Sequence, residues 1–531
     1  MVWVLRPPLA AGSTTWAPEI LPQPPESGNG HETYGVSCLT PDDCIAVGGN
    51  WSLAVHTRVT LAEQWNGASW VVLPTPNPPG LEEGWMFERY AVLTGVSCVS
   101  ASSCVAVGYY RGPSETLAPL AERWDGEDWT MQAVPLPANS ESGWLAGVSC
   151  WAGGGCVAVG SSTDESDVET TLVEALDETG WAIVASPNPP LTTLSQLLAV
   201  SCSSSTACTA AGFSRIGETN SALAERWDGG EWLLQPTDDP AGNEGSNRFE
   251  GVSCPIATAC EAVGIHLERV GTSYAATALV EAWDGEEWST QEVPFVPGAE
   301  LTHLTSISCQ TASSCTAAGY YRVDTGTGSP AEVMGVRWNG AAWSLLDLAG
   351  PPVPAGWWHE DWLYGVSCAD AEACIAVGSS LSAPEGDLSP MRALAERELS
   401  AAAEEGGSSP EVQPDVRGGG AQKVPPAGSP SFKVAKVIRR PGGRVVLVLY
   451  ATASGRFRVV ALARKPTRRR LLYGKASSTA LTGGRVKLAI VPNARARRVL
   501  GSSGHLEVHL QIVFSSDAGQ VGSERTVVVH G

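Results

Sequence analysis

The stretch GVSCVSASSCVAVG, residues 95–108, is one of seven similar segments along this chain of 531 residues. Each segment carries two cysteines with five residues between them, a serine before the first cysteine and an apolar run after the second. The pairs account for all 14 cysteines and are Cys38/Cys44, Cys98/Cys104, Cys150/Cys156, Cys202/Cys208, Cys254/Cys260, Cys309/Cys315 and Cys368/Cys374. Successive first cysteines lie 52 to 60 residues apart. A repeat of about fifty residues is typical of propellers and solenoids.

Each repeat has four short segments of β character. In the second repeat, residues 95–98 and 104–108 are apolar runs joined by small polar residues, as in a hairpin. Residues 120–124 alternate between apolar and polar side chains, which predicts a half-buried strand. An Asp-Gly turn then leads to a fourth strand that starts at Trp129. Because few helical signals interrupt these segments, the sequence predicts an all-β fold of four-stranded antiparallel blades.

Tryptophans in the pattern W-[ND]-G-x-x-W mark the turn between the third and fourth strands. The pairs are Trp65/Trp70, Trp124/Trp129, Trp227/Trp232, Trp283/Trp288 and Trp338/Trp343. A repeated large aromatic suits the wedge-shaped space between neighbouring blades, because each ring buries much area with few rotatable bonds. We therefore interpret these tryptophans as packing residues.

This order of segments resembles the kelch repeat, in which a strand ending in glycine precedes an aromatic residue with Asp and then a tryptophan that leads into prolines. In the first repeat, residues 44–49, Trp65 and Trp70 follow that order. The resemblance covers roughly residues 31–400, although most repeats keep one glycine of the two and add the cysteine pair. It implies a kelch-like β-propeller, and seven repeats predict seven blades over residues 31–399.

The seventh repeat is incomplete at its end. Glu398 stands where other repeats have a tryptophan, and no fourth strand follows it. A matching segment, WAPEILP, occupies residues 16–22 at the other end of the chain. We expect residues 1–30 to supply the missing strand of the last blade, because a closed ring leaves no exposed sheet edge.

The spacing of each cysteine pair fits either a disulfide or half of a metal site. Zinc sites usually gather four ligands from shorter spacings, whereas each repeat supplies two thiols. We therefore predict seven disulfides, which favour an oxidising compartment and a secreted or cell-surface protein. The apolar start at residues 1–5 is too short for an export signal, so export requires an upstream start or another route. No stretch approaches eighteen apolar residues, and no membrane span is predicted.

Charge divides the chain into two parts. Residues 1–420 carry a formal charge of −39 and residues 421–531 carry +17, which together give −22. Residues 400–431 are rich in Pro, Gly and Ser and are predicted to be a flexible linker. Residues 432–531 contain about seven β segments, including the clean alternation of residues 506–514. These segments predict a small immunoglobulin-like β-sandwich. The region resembles the basic β-sandwich tails of exported bacterial proteins. A short helix is expected at residues 494–500.

The tail contains a basic run consisting of Arg464, Lys465, Arg468, Arg469 and Arg470. Such a run suits an anionic cell-surface polymer as a partner. A solvated face, or a contact with the acidic propeller, is the alternative interpretation. Nucleic acid is not an expected partner, because the acidic part of the chain would repel it.

The long, irregular connections are expected at one end of the blades. Antiparallel order places the short 1–2 and 3–4 connections at one end and the long 2–3 and 4–1 connections at the other. Variable loops on a rigid scaffold are common binding surfaces, so we expect the ligand at the long-loop face. The candidate ligand-binding residues there are aromatic or charged: Trp85, Arg89, Tyr110, Arg111, Trp144, Tyr321, Arg322, Trp357, Trp358, His359, Glu360 and Trp362. The alternative is that these aromatics are strand-end plugs and loop anchors.

Catalytic signals are weak. The sequence predicts no catalytic residues, no metal ligands and no cofactor. Of the eight histidines, His505 and His509 are four residues apart, but they lie on a predicted strand, where this spacing is not the helical spacing of a metal site. Carboxylates are abundant, yet no pair stands out as an acid and a base. The favoured hypothesis is an exported, non-enzymatic protein that recognises a glycan or protein ligand. The alternatives are a polysaccharide-active glycosidase or lyase on the same scaffold, and a structural cell-surface protein.

Overall fold

The computed structural model of the protein describes residues 15–24, 27–53, 55–81, 89–238, 246–270, 273–323, 329–354, 357–384, 391–399, 432–439, 444–451, 455–464, 470–480, 484–492, 494–503, 505–516 and 519–530. The chain divides into two compact units, Met1–Ser409 and Pro410–Gly531. No helix in these described ranges is long and apolar enough to cross a membrane. The linker predicted at residues 400–431 lies outside them.

The first unit consists of antiparallel blades built in sequence order from the chain. A leading strand, β1, spans Thr15–Ile20. Blades 1 to 4 comprise β2 (Ser27–Thr40), β3 (Asp43–Ser52), β4 (Thr57–Trp65), β5 (Trp70–Leu73), β6 (Tyr90–Ser100), β7 (Ser103–Arg111), β8 (Leu117–Trp124), β9 (Trp129–Gln132), β10 (Ser140–Cys150), β11 (Cys156–Asp164), β12 (Glu169–Asp177), β13 (Gly180–Val184), β14 (Leu194–Ser204), β15 (Ala207–Ile216), β16 (Thr219–Trp227) and β17 (Trp232–Gln235). Blades 5 to 7 comprise β18 (Ser246–Ile256), β19 (Ala259–Val270), β20 (Ser273–Trp283), β21 (Trp288–Thr290), β22 (Ala299–Thr311), β23 (Ser314–Val323), β24 (Ala331–Trp338), β25 (Trp343–Leu345), β26 (Trp357–Asp370), β27 (Ala373–Pro384) and β28 (Arg392–Leu399).

The blades form a closed ring, which makes this unit a seven-bladed β-propeller. The first strand of every blade faces one central channel, and that channel is lined by residues 34–36, 94–96, 146–148, 198–200, 250–252, 305–307 and 364–366. The last blade has the order β1-β28-β27-β26, with Trp16 opposite Glu398. The N-terminal strand is therefore the fourth strand of blade 7.

A ring of serine hydrogen bonds links the blades, and it accounts for the serine before each first cysteine. Each serine Oγ accepts a hydrogen bond of 2.9–3.1 Å from the backbone N–H of the first cysteine in the next blade. The ring closes where Ser367 of blade 7 accepts from Cys38 of blade 1.

All seven predicted disulfides are formed, with Cα–Cα distances of 3.9–4.1 Å. The sequence did not reveal how deeply one half of each disulfide is buried. The second cysteine of every pair is only 1–2% exposed and packs in a hydrophobic core beside aliphatic and aromatic side chains; these residues are Cys44, Cys104, Cys156, Cys208, Cys260, Cys315 and Cys374. They are buried because the strand that follows each hairpin lies between two neighbouring blades. Each disulfide therefore ties its cysteine hairpin to the core between the blades.

In each blade, a bulge in the first strand requires a glycine at the facing position of the second strand. A Cβ at any of these glycines would lie 1.9–2.0 Å from a backbone oxygen of the neighbouring inner strand. The seven positions are Gly48, Gly108, Gly160, Gly212, Gly264, Gly319 and Gly378. The inner strands are irregular at the same level, with one unpaired residue in each. Bulges of this kind redirect a side chain, and here the extra residue faces the channel.

The third strands are buried on both faces, so the prediction of half-burial was wrong. Six blades carry a fully buried glutamate in this strand: Glu63, Glu122, Glu174, Glu225, Glu281 and Glu396. Apolar and polar residues do alternate along the third strand. Each blade of the ring has a neighbouring blade on both faces, so the side chain at the polar position is buried as well. Burial raises the pKa of Glu122, Glu174 and Glu225 to about 8.

Arginines join the blades at the tryptophan turn. The guanidinium of Arg226 lies 4.9 Å from the ring centre of Trp283 in the next blade, and Arg397 stacks in the same way on Trp65. Within each W-[ND]-G-x-x-W turn the two rings are 5.6–6.0 Å apart. At blade 7 the tryptophan is replaced, and Arg337 instead donates two hydrogen bonds of 2.7 Å to the carboxylate of Glu398. An ion pair therefore substitutes for a cation–π contact at the blade that closes the ring.

The second unit is a small β-sandwich. One sheet contains β29 (Phe432–Arg439), β30 (Val445–Ala451) and β33 (Gly484–Ile490), and the other contains β32 (Arg470–Ala480), β31 (Gly455–Arg464), β34 (His505–Ser516) and β35 (Gly519–His530). One core includes residues of both sheets, such as Leu447, Phe457 and Ile512. The expected helix is present as α1 (Ala494–Ser503). In the predicted basic run, Lys465, Arg468 and Arg469 lie outside the described residues.

Candidate functional site

The central channel is lined by seven bulged residues, one from each inner strand. They are Tyr34, Thr94, Ala146, Leu198, Glu250, Thr305 and Tyr364. The channel between them has a volume of about 210 Å³. Each bulged residue directly precedes its cysteine-containing segment and lies near the middle of its inner strand, at one level of the channel. We call this level the channel mouth.

Two groups of aromatic rings lie on blades 7, 1, 2 and 3. The rings of Tyr34 and Tyr364 are 5.3 Å apart. Tyr109 of blade 2 lies 6.1 Å from Tyr90 and 6.2 Å from Trp144 of blade 3, both in edge-on geometry. All five rings are half-buried. We call these five residues the aromatic arc, and each ring keeps part of its surface open to solvent.

One arginine, Arg58, holds the Tyr34 ring of the aromatic arc in place. Arg58 Nη2 donates a 2.7 Å hydrogen bond to Tyr34 Oη, and its guanidinium lies 5.3 Å from the centre of that ring. Arg58 also forms an ion pair with Glu32, which in turn accepts a hydrogen bond from the Tyr34 hydroxyl. Burial raises the pKa of Tyr34 above its usual range, so the phenol remains a hydrogen-bond donor. The network fixes the orientation of the arginine and the ring together.

Charged and polar side chains lie elsewhere around the mouth. Arg248 forms an ion pair with Glu250 and lies 5.6 Å above the ring of Phe213. His303 places Nε2 3.4 Å from Glu250 and Nδ1 3.1 Å from Tyr320 Oη. Burial raises the pKa of the Tyr320 hydroxyl. This side therefore offers hydrogen-bond donors and acceptors beside aromatic surface.

Some residues chosen from the sequence lie at or near this mouth. Trp144 belongs to the aromatic arc, and its Nε1 donates to Glu169 at 3.3 Å. Arg322 and Glu360 form an ion pair of 3.2 Å. Trp362 precedes the bulged residue of its strand by two positions and is half-buried. These four residues come from blades 3, 6 and 7, and the ring brings them around one opening.

Two predicted tyrosines point elsewhere. Tyr110 packs against the core between blades 1 and 2, and Tyr321 packs against the core of blade 6. Their neighbours Tyr109 and Tyr320 face the mouth instead, because successive side chains of a strand point to opposite faces. The placement favours the interpretation of Tyr110 and Tyr321 as packing residues.

The remaining candidates lie in loops and strand ends. Arg89 donates a 2.7 Å hydrogen bond to the carbonyl of Gly80, and Arg111 donates to that of Glu115 at 2.6 Å. Both arginines therefore brace loops. Trp357 and Trp358 are 41% and 39% exposed at the start of β26. Trp85 lies outside the described residues.

His359 belongs to a separate cluster. Its Nε2 is 2.8 Å from Glu332 Oε1, and a ligand atom of Asp361 lies within 4.8 Å of both. Among the described residues, this is the group whose donor atoms could hold a metal ion. The sequence did not reveal it, because Glu332 comes from a different blade.

Sequence reasoning missed the residues that form the mouth itself. Tyr34 and Tyr364 directly precede the Gly-Val-Ser-Cys motif, so the position before that motif was the available signal. Arg58 and Arg248 carried no such signal, because their role depends on contacts between distant strands.

Comparison with known proteins gives remote likenesses of fold. No family model matches this chain, and no curated protein matches it. Among solved structures the chain is similar to AofleA from Arthrobotrys oligospora, with 11% identity over 64% of this chain and 92% of that one and a TM-score of 0.35. It is also similar to fructan 1-exohydrolase IIa from Cichorium intybus, with 8% identity over 73% and 96% and a TM-score of 0.29. A third likeness is to MPT-4, a mannose phosphorylase from Leishmania mexicana, with 10% identity over 52% and 92% and a TM-score of 0.27. At these scores the likenesses carry no inference about function.

Proposed function

We propose that this protein is an exported, non-enzymatic binding protein whose propeller takes a glycan at the channel mouth. The observation that supports the proposal is the aromatic arc, which stands beside the ion pairs Glu32–Arg58 and Arg248–Glu250. Ligand sites in proteins are concave, largely apolar and equipped with a few fixed polar groups. The mouth combines half-buried aromatic rings with fixed charged and polar groups.

Carbohydrates match this combination of groups. A sugar ring has an apolar face of C–H groups that stacks on an aromatic side chain, and its hydroxyls need both donors and acceptors. Tyr109 and Trp144 offer half-buried rings held in edge-on contact, so binding costs little side-chain entropy. Arg58 and Glu250 supply a donor and an acceptor within the same opening.

The compartment and the second unit complete the proposal. Seven disulfides are typical of proteins in an oxidising environment, which supports export. We take the propeller as a kelch-like variant and the second unit as an immunoglobulin-like domain. Its positive charge, +17 over residues 421–531, suits an anionic polymer at the cell surface.

A glycan array probed with the purified full chain tests the proposal. A bound glycan is then titrated calorimetrically against Trp144→Ala and Trp151→Ala. The two tryptophans belong to the same blade, but Trp144 lies in the aromatic arc, whereas Trp151 follows the other end of β10, in the cysteine hairpin. We expect Trp144→Ala to weaken binding by about tenfold or more, as the loss of a stacking aromatic does, and Trp151→Ala to leave it unchanged.

Three results would contradict the proposal. Equal affinity of both variants would move the site away from the channel mouth. Release of new reducing ends from the bound glycan would make the protein an enzyme. Failure to bind any glycan, together with self-association, would favour a structural surface protein.

A further inference from the structure

A compact group of metal-ligating side chains lies between blades 6 and 7. His359 and Asp361 are two residues apart on β26, so their side chains share one face of that strand. Glu332 lies near the start of β24 in blade 6. One ligand atom from each residue falls within 4.8 Å of the others, and His359 Nε2 is 2.8 Å from Glu332 Oε1.

Asp361 is the residue that points to a cation. Its side chain is 1% exposed, and among the described residues the Ser380 hydroxyl is the polar group beside it, with no hydrogen bond of normal geometry to either carboxylate oxygen. The chain passes so close that a Cβ at Gly350 would lie 2.3 Å from Asp361 Oδ2. Burying a carboxylate without a partner is costly, and a bound cation is one of the ways in which proteins offset that cost.

A second buried carboxyl group lies beside Asp361. Glu396 of β28 is fully buried, its carboxylate also has no hydrogen-bond partner in the described part of the chain, and it acts electrostatically on Asp361. His359 faces Glu332, so the cluster joins one imidazole to the carboxyl groups of Glu332 and Asp361.

We propose that Glu332, His359 and Asp361 bind a divalent transition-metal ion of the zinc type. The ligands would be the His359 Nε2 atom and one carboxylate oxygen from each acid. Imidazole favours zinc and its neighbours, whereas calcium prefers six to eight oxygen ligands. Three protein ligands leave an open coordination position.

The open position would face solvent at the long-loop end. The Glu332 and His359 side chains are 30% and 28% exposed, while Asp361 closes the inner side. A metal at this point would hold a water molecule or the oxygen of an external ligand. Because the ligands come from two blades, metal binding would also depend on the assembled ring. This inference is independent of the glycan proposal.

Isothermal titration of the full chain with ZnCl2, after removal of bound metal with a chelator, tests the site. We expect one zinc to be bound by the wild-type protein and its affinity to fall at least about tenfold in His359→Ala. Glu332→Gln, which keeps the size of the side chain, is the second variant. His266→Ala is the matched control, since His266 Nδ1 contacts Asn247 Oδ1 at 2.6 Å in blade 5.

The difference in zinc affinity between each variant and the wild type is the measured quantity, because weak binding outside the site would be common to all of them. Metal-free melting curves establish that each variant is folded, and zinc should raise the melting temperature of the wild type and of His266→Ala only. The proposal is overturned if the wild type binds no zinc, or if His359→Ala and Glu332→Gln bind it as the wild type does. Equal affinity for CaCl2 would overturn the metal class.

Discussion

Replacing Arg337 by alanine would leave a buried carboxylate without its partner at the seam of the ring. The Glu398 side chain is fully buried, Arg337 is 20% exposed, and two hydrogen bonds of 2.7 Å join them. Removing one partner of a buried ion pair costs about 3–5 kcal/mol, because the remaining charge stays out of water. We therefore expect Arg337→Ala to lower the free energy of unfolding by about that amount.

Arg226→Ala provides the matched control. Arg226 occupies the same position in blade 4 but stacks on Trp283 at 4.9 Å, so its loss leaves no buried charge behind. A cation–π contact is worth about 0.5–2 kcal/mol and a neutral hydrogen bond, such as that of Arg226 to the Ala257 carbonyl at 2.7 Å, about 0.5–1.5 kcal/mol, so we expect a smaller loss than for Arg337→Ala. The double variant Arg337→Ala/Glu398→Ala should recover part of the stability lost in Arg337→Ala, because the stranded carboxylate is gone.

Guanidinium unfolding followed by tryptophan fluorescence measures these differences in a double-mutant cycle. The reasoning fails if Arg337→Ala costs no more than Arg226→Ala. It also fails if Arg337→Ala/Glu398→Ala loses the sum of the losses measured for Arg337→Ala and Glu398→Ala singly, since that would mean that the two side chains do not interact.

Three further predictions concern the blades. Glu122, Glu174 and Glu225 have a pKa near 4.5 in the unfolded chain and about 8 in the folded protein, so the free energy of unfolding should fall as the pH rises from 4.5 to 8. Melting temperatures measured over this pH range test the prediction, and Glu122→Gln should reduce their dependence on pH. A melting temperature that rises with pH would contradict the prediction. Gly212→Ala would place a Cβ 2.0 Å from a backbone oxygen and should lower the free energy of chemical unfolding by about 3 kcal/mol or more. In the control Gly230→Ala the nearest contact is at 3.4 Å, and the change should be less than about 0.5 kcal/mol. Similar losses in both variants would show that the bulge does not require glycine at position 212. A thiol titration of the denatured protein should find no thiol before reduction and 14 after it; any thiol before reduction would argue against the seven disulfides and against export.

Local features of the fold could be predicted from the sequence. The cysteines of each pair are six residues apart in a hairpin, so their pairing follows from proximity along the chain. The number of blades follows from counting repeats. The alternation of β34 likewise predicted a buried face, and Leu506, Leu510 and Phe514 are buried.

The candidate site could be predicted only in part. The long-loop end was inferred from strand direction, but the choice between Tyr109 and Tyr110 depends on which face of a strand turns toward the channel. The burial of Glu122 was missed because a single strand does not reveal that it has neighbours on both faces.

The chain by itself determined the repeat, its disulfides, the turns and the division of charge, since each of these is written in residues close together in sequence. The positions of the site residues relative to one another depend on the closed ring. It turned the bulged residues such as Tyr34 and Glu250 into one opening, and it brought Glu332 to His359 and Asp361 from another blade. Such contacts join strands that are far apart in sequence, and their partners are fixed only when all seven blades pack around the axis.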